Sequence, residues 1–212
     1  PRARRFAIAG VIAAVAIGVW WWPGMSGGHP SGTHRAVLDG VHIAWPDEGE
    51  SAIAVNGDPQ RFSRPAGDPL PIASVAKVMT AYVVLQHFPL TATGTGFAMT
   101  MSDADAQLSL TDSAEGQSFV PVQAGEVLTE RDALEALLLP SANNIEMALA
   151  TYTSGDVAGF VAEMNHDAAV LHMTHTRYTD PSGYADTTVS TARDQLRLAR
   201  VVRRGGGHGQ VA

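Results

Sequence analysis

Residues 71–85 read PIASVAKVMTAYVVL, and they hold Lys77, a single lysine beside thirteen arginines in a total of 14 basic residues. Ile72, Val75, Val78 and Met79 recur at helical spacing, which predicts a helix from Ile72 to Phe88 that stops before Pro89. On such a helix Ser74 and Lys77 are three apart and share a face. A serine hydroxyl is a poor nucleophile until a base takes its proton. Lysine can do so once burial lowers its pKa, whereas arginine stays protonated. The apolar neighbours would supply that burial, and the positive end of the helix dipole would favour negative charge developing on Ser74. The spacing alone also suits a capping serine beside a surface lysine.

A second polar cluster follows at residues 137–144, LLLPSANN. Ser141 and Asn143 form an S-x-N pattern in a predicted loop between two helices. A hydroxyl there can relay a proton to a leaving amine, and the Asn143 amide can hold a substrate amide and the lysine. By itself the cluster also fits a helix-cap junction.

The surrounding composition narrows the classes. The chain has 212 residues, 45% of them hydrophobic and 17% charged, enough for one sizeable globular domain. The absence of cysteine excludes disulfides, thiolate zinc sites and cysteine nucleophiles. A net charge of -7 argues against a nucleic-acid partner. Arg2, Arg4 and Arg5 precede FAIAGVIAAVAIGVWWW, 17 uncharged residues from Phe6 to Trp22. That run lies at the short end of the bilayer-spanning range. The basic flank predicts a cytoplasmic N-terminus. Residues 1–22 are therefore expected to be a membrane anchor, with a cleaved signal peptide as the alternative; no clear small-x-small cleavage site follows the tryptophans. Either way the remainder is exported, leaving 14 − 3 = 11 basic residues against 21 acidic ones. Residues 23–36, beginning PGMSGGHPSGTH, read as a Gly/Ser/Pro-rich tether, and 37–212 as the functional domain. The initial Pro1 and the terminal RRGGGHGQVA suggest a chain incomplete at both ends.

Within the domain, Val41–Trp45 and Ala52–Asn56 read as strands, and Phe97–Met101 and Phe119–Val122 as strands or extended segments. SDADAQLSLTDSAEGQ between them reads as a polar excursion. Thr129 and Asp132 resemble a capping box opening a helix that ends near Pro140. Further helices are predicted from Asn144 to Tyr152, from a cap at Asp156 to about His172, and from a cap at Ser190 and Asp194 to about Arg204. Met99 and Met101 read as core. His172 and His175 read as surface residues rather than a metal site, and Arg193, Arg197, Arg200, Arg203 and Arg204 as a solvated face.

Three segments in order carry a family resemblance: PIASVAKVMTAYVVL, GEVLTERDALEALLLPSANNIEMALA and YTDPSGYADTTVSTARDQLRLAR. Together they resemble the low-molecular-mass D-alanyl-D-alanine carboxypeptidases, penicillin-interacting serine peptidases. The resemblance implies an α+β fold, an α/β sandwich of β-lactamase/transpeptidase type with a helical subdomain. It implies Ser74 as acylated nucleophile, Lys77 as general base, Ser141 as proton relay and Asn143 as substrate and lysine anchor. The Ser74 N–H would supply half of an oxyanion hole. The implied substrate is a peptidoglycan stem peptide ending in D-Ala-D-Ala, with β-lactams as covalent inhibitors and no metal or organic cofactor. One family motif is missing. A Lys-Thr-Gly strand should follow the Ser-Thr-Ala-x-Asp helix, and Lys77 is the sole lysine. The closing strands are thus expected to be absent. A serine β-lactamase stays open as an alternative, although no glutamate lies in 177–184 to activate a deacylating water, and Glu146 and Glu163 read as solvated. So does a catalytically inactive peptidoglycan-binding module.

Overall fold

A computed structural model describes residues 35–38, 41–44, 49–54, 61–62 and 67–203. The expected anchor 1–22 and the residues after Arg203 lie outside them. No helix among the described residues is long and apolar enough to cross a membrane. The chain divides into two units, 1–63 and 64–212.

The first unit contains two antiparallel strand pairs. Strand β1 (Arg35–Leu38) pairs with β2 (Val41–Ala44), placing Leu38 opposite Val41. Strand β3 (Ala52–Ile53) pairs with β4 (Arg61–Phe62). β1 begins at Arg35, inside the segment read as tether, because that segment supplies the partner that β2 needs for its backbone groups.

The second unit opens with β5 (Leu70–Pro71), a 3-10 turn over Ala73–Ala76 and α1 (Lys77–His87). The predicted single helix is thus split, and Lys77 is the first residue of its α-helical part. Strand β6 (Ala98–Thr100) leads into α2 (Asp103–Ala114). This helix occupies the stretch read as a polar excursion. Only Ser109 and Asp112 of α2 are buried, so it carries no apolar stripe for periodicity to reveal. Its one sequence signal is a capping box. Ser102 Oγ accepts the Asp105 N–H at 3.2 Å while Asp105 accepts the Ser102 N–H at 2.8 Å.

Strand β7 (Val127–Thr129) pairs antiparallel with β6, and α3 (Glu130–Leu138) follows from the expected Thr129–Asp132 capping box. Residues 119–122 belong to no strand among the described residues. The Asn144 amide takes the place of a strand partner. It accepts the Val120 N–H at 3.1 Å and donates to the Val120 carbonyl at 2.7 Å.

Helix α4 (Asn143–Ser154) is central, packing on α1, α2, α3 and α5 (Val157–Val170). Ile145 and Leu149 of α4 are fully buried, each stabilising the fold by about 1.5–3 kcal/mol. Met79 and Val84 of α1, Leu137 of α3 and Phe160 of α5 close the same core. Met99 and Met101 are buried as expected. Strand β8 (Val189–Ser190) returns to β5, and α6 (Ala192–Arg203) ends the described chain. Thr191 caps α6, its Oγ1 accepting the Asp194 N–H at 3.2 Å, rather than Ser190. Asp194 is fully buried and instead accepts the His175 N–H at 2.8 Å and pairs with Arg197, so that arginine is tied to the core and not merely solvated.

Candidate active site

The turn carrying Ser74 is bent at Ala73, whose φ of 45° is unusual for a residue with a Cβ. Two contacts hold it in that shape. Gly183, at φ +76°, packs so closely that a Cβ there would lie 1.8 Å from the Ala73 carbonyl oxygen. The Thr80 hydroxyl of α1 donates to the Pro181 carbonyl at 2.7 Å. The loop pressing on the turn is organised by Asp180, which accepts the Ser182 hydroxyl at 2.6 Å, the Tyr184 N–H at 2.8 Å and the Thr188 hydroxyl.

Ser74 is exposed, whereas Lys77 beneath it is only 2% exposed. The Lys77 Nζ lies 3.3 Å from Ser74 Oγ and donates to Asn143 Oδ1 at 2.6 Å. The structure therefore brings together three of the four sequence-predicted residues, Ser74 from the 3-10 turn, Lys77 from α1 and Asn143 from α4, the last two 66 positions apart. Asn143 is the first residue of α4 rather than a loop residue. Ser141 precedes it in the α3–α4 connection, at a φ of 63°. Its hydroxyl is buried and has no hydrogen-bond partner among the described residues.

Other residues complete the site. Gln117 accepts from Asn143 Nδ2 at 2.7 Å, fixing which way the amide faces and leaving Oδ1 for the lysine. No sequence pattern marks Gln117. Glu146 departs from the expectation of a solvated side chain: it is 1% exposed. Its position three residues after Asn143 on one helix was the available signal. Glu163, by contrast, is half-exposed and pairs with His87 at 2.5 Å.

Burial holds the Lys77 amine below the ordinary lysine value, while Glu146, Asp180 and Asp112 pull it back up. Burial also pushes Glu146 up to about 8, against the opposing pull of Lys77. An exposed hydroxyl over a buried, depressed amine, steadied by an amide, is the equipment of a serine-acylating hydrolase. Among the described residues no group of three His, Cys, Asp or Glu side chains could hold a metal ion.

Comparison with known proteins identifies the family. The D-alanyl-D-alanine carboxypeptidase family, peptidase S11, matches residues 48–209, and the chain belongs to that family. A D-alanyl-D-alanine endopeptidase of Pseudomonas aeruginosa is 35% identical over 65% of this chain and 41% of its own. The D-alanyl-D-alanine carboxypeptidase DacF of Bacillus subtilis is 26% identical over 72% of this chain and 38% of its own. Among solved structures, the D-alanyl-D-alanine carboxypeptidase of Mycobacterium tuberculosis superposes with a TM-score of 0.58 at 28% identity, covering 73% of this chain and 54% of that one. The fold is therefore the α+β fold of the penicillin-binding serine peptidases. The chain spans about two-fifths of the length of the curated relatives it matches.

Proposed function

We propose that this chain carries the acylating site of a serine-type D-Ala-D-Ala carboxypeptidase acting on peptidoglycan stem peptides. One observation carries the reading: Lys77, buried at 2% exposure, reaches both Ser74 Oγ and Asn143 Oδ1. In this reaction Ser74 Oγ attacks the carbonyl carbon of the penultimate D-alanine, and its proton passes to the neutral Lys77 Nζ. The C–N bond breaks, the leaving amine takes a proton through Ser141, and D-alanine departs. Water then cleaves the Ser74 ester and restores the hydroxyl. Asn143 holds the lysine and the substrate amide throughout. β-Lactams would acylate the same oxygen.

A second reading, endopeptidase cleavage of peptide cross-links, is favoured by the name of the 35% identical Pseudomonas relative. The two are separated by incubating the chain, and any longer product of its gene, with a stem pentapeptide and with a cross-linked dimer. Release of D-alanine, absent in Ser74→Ala, supports the carboxypeptidase; cleavage of the dimer alone supports the endopeptidase.

We also place the protein outside the cytoplasm, held to the cytoplasmic membrane through residues 1–22. The support is the sequence Arg2, Arg4 and Arg5 before the uncharged run 6–22. Recovery of the protein in the soluble fraction of the cell envelope would favour a cleaved leader instead.

A further inference from the structure

Asn143 is gripped from the far end of α2. Gly116, at φ 70°, turns the chain back after that helix. The Gly116 N–H donates to the Ser113 carbonyl at 3.3 Å and the Gln117 N–H to the Asp112 carbonyl at 2.9 Å. The turn sets the next two residues against the start of α4. The Ser118 carbonyl accepts the Asn143 N–H at 2.8 Å, and Gln117 Oε1 accepts from Asn143 Nδ2 at 2.7 Å. Gln117 Nε2 donates in turn to Glu115 Oε2 at 2.7 Å.

These bonds form a chain with a direction. A side-chain amide donates at one end and accepts at the other, so its partners decide which way it faces. The Glu115 carboxylate only accepts, which turns Gln117 Nε2 towards it and Oε1 towards Asn143. That oxygen holds Asn143 Nδ2, and Oδ1 is left facing Lys77 Nζ, 2.6 Å away. The facing matters because a neutral amine has one lone pair. With Oδ1 towards it, Nζ donates an N–H to Asn143 and keeps the lone pair for the Ser74 hydroxyl, 3.3 Å away. With Nδ2 towards it, an amide N–H would occupy the lone pair, and Ser74 would keep its proton.

We propose that Gln117 is a positioning residue for acylation: acting through Asn143, it keeps the lone pair of Lys77 Nζ open to Ser74 Oγ. The catalytic part rests on the function proposed above; the hydrogen bond between Gln117 and Asn143 does not.

The test changes the polarity of position 117 in the full chain and reads the rate of penicillin uptake on the high-pH plateau, where Lys77 is already neutral. Gln117→Ala frees the Asn143 amide to turn and should slow uptake about tenfold. Gln117→Glu keeps an accepting oxygen and should be faster than Gln117→Ala. Gln117→Lys offers only donors, turns Asn143 Oδ1 away from Lys77 and should be the slowest. Lost packing would instead place Gln117→Ala last, and a charge acting on the base would place Gln117→Lys ahead of Gln117→Glu. Either order would overturn the proposal, as would three rates equal to the wild type.

The hydrogen bond is read separately, by NMR of the chain labelled with 15N at its four asparagines. The Asn143 side-chain signal, identified by its loss in Asn143→Asp, should show an amide proton protected from exchange with water. Gln117→Ala should abolish that protection. An unprotected Asn143 amide in the wild type would overturn the proposal even if no variant folds. A wild type that shows the protection but takes up no penicillin would overturn the catalytic part and leave the hydrogen bond in place.

Discussion

Helices α2, α3 and α5 begin differently from α1 and α4. The first three start on Ser102, Thr129 and Asp156, each of which folds back onto a backbone N–H. The last two have no side-chain cap at all. Each is instead approached through a non-glycine residue at positive φ, Ala73 before one and Ser141 before the other. Capping uses up the polar side chain at a helix start. Leaving α1 and α4 uncapped frees Ser74, Lys77 and Asn143 to meet. The stabilising helix starts and the reactive ones are thus built by opposite rules. The strain at Ala73 is held by packing from the loop around Gly183.

The sharpest way to break this contrast is at Lys77. Lys77→Arg keeps the positive charge but cannot accept a proton, so acylation by penicillin should slow by about 10²–10⁴-fold, read by stopped-flow labelling, with a melting curve to check folding. A variant acylating at the wild-type rate would return Lys77 to a structural role.

Gly183 tests the packing side. Gly155 has a similar φ, +84°, with nothing within 4 Å of an added Cβ, so the two glycines separate strain from collision. Gly155→Ala should cost about 1–3 kcal/mol, the backbone effect alone. Gly183→Ala should cost about 4 kcal/mol or more in denaturant unfolding, because its Cβ would meet backbone at Ala73. Equal losses would remove the loop from the account of the turn.

Smaller effects distinguish capping from chemistry. Thr129→Ala should lose about 0.5–2 kcal/mol of stability and leave acylation unchanged. Ser141→Ala removes a hydroxyl with no partner among the described residues, so stability should hold while turnover falls. The reverse pattern would make Ser141 a structural residue.

The pH profile gives the finest reading. Acylation needs the neutral amine, so its rate should fall as pH drops through the depressed pKa of Lys77, an acid limb lying below the ordinary lysine range. Glu146→Gln should move that limb to lower pH, since the lost carboxylate had raised the lysine. An acid limb that stays in place would detach Glu146 from the base.

The same contrast explains what the sequence disclosed. Capped helices announce themselves, as Thr129 and Asp156 did, and the apolar run of α1 did so through its periodicity. Ser74, Lys77 and Asn143 were legible because their chemistry depends on short spacings within a helix or turn. Helix α2 was missed because its face is polar, although Ser102 and Asp105 carried the cap signal. The stretch 119–122 read as a strand or extended segment, and local preference could not reveal that the Asn144 side chain, rather than another strand, pairs with Val120. Gln117 carries no recognisable motif and became visible only when packing set it against Asn143, 26 positions along the chain; Glu146 was considered but read as solvated, because its burial is set by the packing of other helices around α4.

The most direct measurement is intact-mass analysis of the chain, and of any longer product of its gene, after exposure to a penicillin. The account predicts one penicillin adduct per folded molecule, localised by peptide mapping to Ser74 and absent from Ser74→Ala. A folded protein that takes up no adduct, or a Ser74→Ala variant that takes up the same one, would contradict it.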